Sequence, residues 1–69
     1  MPLSMAPVGE VFVIKNITGR DEIRQHLAEL GFVVGTTVKV VNSISGNLII
    51  QVKESRVAIN KAMANRIII

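Results

Sequence analysis

The sequence predicts a mainly β fold in which about five short strands curl into a small barrel, with one α-helix inserted after the first strand. Three observations carry this. Short runs rich in Val and Ile recur between clusters of Gly, Asn and Ser, the pattern of strands joined by turns. A single segment, Arg20 to Leu30, places its apolar residues at sustained helical spacing. The chain of 69 residues allows one domain, residues 1–69, and strands in so small a domain are best satisfied when the sheet closes on itself.

The elements follow in order. Residues 1–7 precede the first strand signal and are expected to be loose. Glu10 to Ile17 reads EVFVIKNI between Gly9 and Gly19. β-Branched residues dominate it, so it is a strand with Phe12 and Ile14 on one face. A bend or bulge at Asn16 returns Ile17 to the core. Thr18 and Asp21 have the spacing of a capping box, with Asp in place of Glu or Gln. Asp21 and Glu22 lie in the first turn, where the helix dipole favours negative charge. Ile23, Leu27 and Leu30 make one apolar stripe, and Gly31 is the expected left-handed cap.

Phe32 to Thr36 is a tight apolar connector. Thr37 to Asn42 is a strand with Val38 and Val40 on one face. Ser43 to Asn47 holds a turn, and Leu48 to Lys53 returns with Leu48, Ile50 and Val52 on one face. Glu54-Ser55 is the next turn, and Arg56 to Ile59 a strand with Val57 and Ile59 together. Asn60 is placed to cap one helical turn over Lys61 to Ala64. Arg66 to Ile69 is a terminal strand, expected beside the first.

Composition narrows the function. Hydrophobic residues make up 49% of the chain and the mean hydropathy is +0.48, which argues against disorder and leaves apolar surface for a partner. There is no Cys, so disulfides and thiolate metal sites are excluded, in keeping with a reducing, cytoplasmic setting. The first basic residue is Lys15, so no secretory signal is expected. The longest uncharged stretch, Val40 to Val52, is interrupted by Asn, Ser, Gly and Gln, so no direct membrane insertion is expected. The net charge is +3, but Lys and Arg are scattered and there are two Phe and no Trp or Tyr. Nucleic-acid binding, the alternative suggested by a pI near 10.0, therefore lacks both a basic stripe and a stacking platform. With one His, no nucleophile elbow and no phosphate-cradling glycine motif, the chain reads as a binding module and not an enzyme, requiring no cofactor. Its five glycines, Gly9, Gly19, Gly31, Gly35 and Gly46, are spaced as turn and cap residues.

Several residues together resemble the FeoA domain family. Leu3, Pro7-Val8-Gly9-Glu10, Ile14, Ile17 and Gly19 are similar to that family's opening. Leu27-Ala28-Glu29-Leu30-Gly31-Phe32 with Gly35-Thr36 and Val38 resembles its most specific motif. Ile50, Val52, Ala58, Ile59, Ala64 and Ile67 match its later apolar positions. Three positions depart from it: Val34 stands where the family usually has Pro, His26 where it often has Arg, and Gly46-Asn47 where it has Gly-Pro. The resemblance implies a small SH3-like barrel acting as an accessory of the ferrous iron permease FeoB. It implies docking to the permease's cytosolic part or G-protein domain, and a cytoplasmic location at the inner face of the membrane.

Three sets of residues are candidates for the site. Phe32, Val33 and Val34 cannot all point into a small core, so they form a candidate docking surface, with Ile68 of the terminal strand as a further contact or as the seam of a homo-oligomer. Glu22, His26 and Glu29 line one helical stripe and could hold Fe²⁺ or another divalent ion, although they span roughly 10 Å along the axis. Arg20, Arg24, Arg56 and Arg66 are candidates for an arginine finger toward a G-protein partner.

Overall fold

A break in the first predicted strand organises the molecule. In the computed structural model, which describes residues 1–69, the EVFVIKNI segment forms two strands, β1 (Val11–Val13) and β2 (Asn16–Ile17). They are followed by α1 (Asp21–Glu29), β3 (Thr37–Ile44), β4 (Asn47–Val52), β5 (Ser55–Asn60), α2 (Lys61–Ala64) and β6 (Ile67–Ile68). β1, β3, β4 and β5 make one antiparallel sheet in that order, and β2 pairs with β6 in a second. The break falls at Ile14–Lys15, ahead of the bend expected at Asn16. The Ile14 N–H donates to the Thr36 carbonyl at 2.9 Å and the Lys15 N–H to the Ile68 carbonyl at 2.7 Å. Successive amides therefore serve different sheets. The chain crosses between them here, because each sheet needs a partner strand at this corner if the barrel is to close.

Alternation in the long strands sets the core. Val38, Val40, Leu48, Ile50 and Val52 are all buried, as their spacing predicts. Ile14, Ile17, Leu27, Phe32, Ile59 and Ile67 complete the centre. All 14 buried residues are apolar, and no buried side-chain polar atom lacks a partner. A register shift between Val40 and Asn42 adds a residue to β3, with the bend that such a bulge produces.

Turn chemistry moves three boundaries. Ser45 and Gly46 both have positive φ, +49° and +82°, which makes a two-residue primed turn whose twist matches the strands it joins. β3 therefore runs on to Ile44, and the predicted Ser43–Asn47 turn shrinks to two residues. The β4–β5 turn is Lys53–Glu54, not Glu54–Ser55. The capping box is also absent: Arg20 is the N-cap, with no side-chain cap. The Thr18 hydroxyl donates instead to the Arg66 carbonyl at 3.3 Å, because pairing beside β6 has already fixed Thr18. Asn60 does cap α2, its Oδ1 accepting the Met63 N–H at 2.8 Å.

Residues 1–7, expected to be loose, are tied into the fold. Leu3–Met5 form a 3₁₀ turn and Leu3 is completely buried. Pro2 bridges Ile68, and the Ile69 N–H donates to the Met1 carbonyl at 2.8 Å. β6 is thus flanked on both sides, so edge-to-edge pairing of this strand with a second copy is not open.

Candidate functional site: the groove beside the helix cap

The C-terminus of α1 builds the site. Gly31 has φ +103°, a conformation that glycine adopts without a Cβ penalty. The Phe32 N–H donates back to the Leu27 carbonyl at 2.9 Å and the Gly31 N–H to the Ala28 carbonyl at 3.0 Å. These two bonds define a Schellman motif, whose characteristic apolar contact here joins Leu27 and Phe32, both fully buried. The chain then turns tightly: the Gly35 N–H reaches the Ile14 carbonyl at 2.8 Å and the Thr36 N–H the Val33 carbonyl at 3.1 Å. A reversal so short exposes what it cannot bury. Val33 is 40% and Val34 62% exposed.

An open groove of about 190 Å³ lies against this turn. Val33, Val34, Ile17 and Ala28 make it apolar above the buried Phe32, and Arg24 and Asn16 supply its polar groups. Arg24 and Ala28 share one stripe of α1 at i and i+4, and the small Ala side chain leaves the space. The Asn16 Oδ1 is occupied by the Ile17 N–H at 2.9 Å, which leaves the amide nitrogen as its free donor. The Arg24 guanidinium lies 3.8 Å from the Asp21 carboxylate, an exposed pair of little strength.

The sequence candidates separate on this map. Val33 and Val34 line the groove, whereas Phe32 is a core residue with no exposed surface. Its ring fills the barrel because the Schellman contact requires an apolar residue there. Ile68 is half-buried and pairs directly with Asn16, so it adjoins the groove. Of the four arginines, only Arg24 lines the groove. Arg20 caps α1, Arg66 packs along Gly19, and Arg56 belongs to the other sheet. Glu22, His26 and Glu29 are all exposed, and no three His, Asp or Glu side chains of the fold gather closely enough to hold a metal ion. Nearly two turns of helix separate the ends of that stripe, and no fourth ligand faces it, so these residues do not fit a resident metal site. Ile17, Asn16 and Ala28 are site residues that sequence reasoning missed. The Arg24–Ala28 stripe is the one signal that could have found part of them.

Fold and site together define a class: a small SH3-like barrel with an apolar groove where its helix cap meets the second sheet. Comparison with known proteins makes the class particular. The FeoA domain family model matches residues 1–69, and the chain belongs to the FeoA domain family. It is 32% identical over 68 residues to a protein of Methanocaldococcus jannaschii provisionally named Fe(2+) transport protein A, covering 99% of this chain and 83% of that one. The crystal structure of an iron uptake regulatory protein, FeoA, superposes with a TM-score of 0.89 at 38% identity, covering 96% of this chain and 88% of that one. The zinc complex of Stenotrophomonas maltophilia FeoA superposes at 0.86 with 31% identity, covering 99% and 87%. That protein is described as a procaryotic SH3 domain protein and a candidate activating factor of bacterial ferrous iron transport. No helix of the present chain is long and apolar enough to cross a membrane.

Proposed function

We propose that this protein is a non-enzymatic accessory module of ferrous iron transport, docking through the groove beside its helix cap to the cytosolic part of an FeoB-type permease. Iron is the cargo of that system and not a resident cofactor of this chain. The observation that carries the reading is the exposure of Val33 and Val34 around an apolar groove beside the hydrogen-bonded Schellman cap. A preformed apolar concavity with a few convergent polar groups is the usual form of a recognition site. Its energy would come from covering the two valines and desolvating Arg24 and Asn16 against the partner. Binding would then bias the partner between conformations in proportion to its difference in affinity for them.

The test is the Val33→Ser/Val34→Ser double variant, measured against the isolated cytosolic domain of the permease. Affinity should fall roughly tenfold or more, the loss expected when one or two apolar side chains leave an interface. The urea midpoint should fall by about 1.5 M, from the part-buried fraction of the two side chains, with the protein still folded in water. Unchanged affinity would refute the docking site. Adding Arg24→Ala and following GTP hydrolysis by the same domain separates anchoring from catalysis: an arginine finger requires that hydrolysis accelerated by the wild-type protein be lost.

A further inference from the structure

A second groove lies on the outer face of the four-stranded sheet, and its chemistry is different. One register row crosses all four strands: Val11 opposes Lys39, Lys39 opposes Gln51, and Gln51 opposes Arg56. Val11, Thr37, Lys39, Gln51 and Lys53 line a concavity of about 280 Å³ above the buried Val38. Its side chains offer two ammonium groups, a hydroxyl and an amide, with no carboxylate among them. Neither lysine has an acidic partner. The protein's single ion pair, Arg24 with Asp21, is on the helix. Three of the five acidic residues, Asp21, Glu22 and Glu29, lie on α1. The other two, Glu10 and Glu54, stand next to Val11 and Lys53 in sequence, but neither lines the groove or pairs with a lysine, so both ammonium groups remain unpaired there.

From this we infer that the outer sheet face is a second docking site, for an extended acidic segment of a protein partner. It goes beyond the apolar groove and does not depend on it. Lys39 stands in β3 and Lys53 in the β4–β5 turn, and both line the same groove. An extended chain presents its carboxylates at i and i+2 on one side, about 6.6 Å apart, so one strand can offer a carboxylate to each lysine. The exposed Val11 and Val13 give the segment an apolar flank at the sheet edge. Concavity favours a side chain over a bilayer, because a flat lipid surface cannot enter the groove.

The test uses the full chain and a short acetylated, amidated peptide alternating Glu and Ser, with its Gln-for-Glu counterpart. Amide resonances of Thr37, Lys39, Gln51 and Lys53 should shift with the Glu peptide at millimolar concentration and stay in place with the Gln peptide. The Lys39→Glu/Lys53→Glu variant should bind roughly fivefold or more weakly, as expected for the loss of two exposed ion pairs. The Val33→Ser/Val34→Ser variant should bind the peptide normally, so failure here and failure of the permease reading are separable. Unmoved resonances, or shifts that survive the double charge reversal, would overturn the inference. So would sedimentation with phosphatidylglycerol vesicles in the absence of any peptide response, which would assign the face to lipid.

Discussion

Phe32 and Val34 are two residues apart, yet their truncations should have opposite consequences. Phe32 is fully buried, and Phe→Ala in a close-packed core costs about 3–5 kcal/mol through lost burial and the cavity left behind. A domain of 69 residues has a total stability of about 3–10 kcal/mol. Phe32→Ala should therefore remove much or all of it. Val34→Ala deletes two carbons, worth about 1.6 kcal/mol if fully buried. Val34 is 62% exposed, so only about 0.4 of that applies and the expected cost is about 0.6 kcal/mol. With a urea m-value of about 1 kcal/mol/M, the Val34→Ala midpoint should shift by roughly half a molar and the Phe32→Ala midpoint by several molar. Urea titration followed by far-UV circular dichroism reads both. If Phe32→Ala does not fold, Phe32→Leu should retain the fold with an intermediate loss. Comparable losses at 32 and 34 would refute the division between plug and docking rim. Partner affinity supplies the converse readout: it should fall in Val34→Ala, a variant that remains folded.

Two further outcomes probe the supports of the site. Gly31→Ala should cost about 1–2 kcal/mol, from the left-handed backbone and not from a clash. The added Cβ would sit 3.4 Å from the Val52 Cγ2, an ordinary contact, so the cost is one of backbone conformation, and a D-alanine at 31 made by chemical synthesis, for which positive φ is favourable, should cost less than L-alanine. Leu3→Ala should cost about 2–5 kcal/mol because its side chain is completely buried; a cost near zero by thermal melting would show that the N-terminal turn is not part of the cooperative unit.

Local rules made much of this molecule legible. The spacing of Val38, Val40, Leu48, Ile50 and Val52 marked a buried face. Gly31 marked a helix end, and Asn60 a helix start. The motif around Leu27–Phe32 carried the family. Site residues were only half legible, for a definite reason. Three consecutive apolar residues, Phe32 to Val34, show that something must be exposed but not which. That depends on the Schellman bonds, which turn Phe32 inward and leave the two valines outside. The metal stripe of Glu22, His26 and Glu29 illustrates the same limit: one helix face aligns side chains along its axis, but a fourth ligand must come from another element, and none does.

The sequence by itself determined a mainly β barrel with one inserted helix, its apolar faces and its family, because alternation, capping and glycine placement act over a few residues. Tertiary structure alone decided where the first strand divides, that Thr18 bonds Arg66 and does not cap α1, and that residues 1–7 cover β6. It also brought Ile17, Asn16, Arg24 and Ala28 to the turn at Val33. These depend on contacts between residues far apart in the chain. The amides of Ile14 and Lys15 serve two different sheets, and their acceptors, the Thr36 and Ile68 carbonyls, come from well separated parts of the chain.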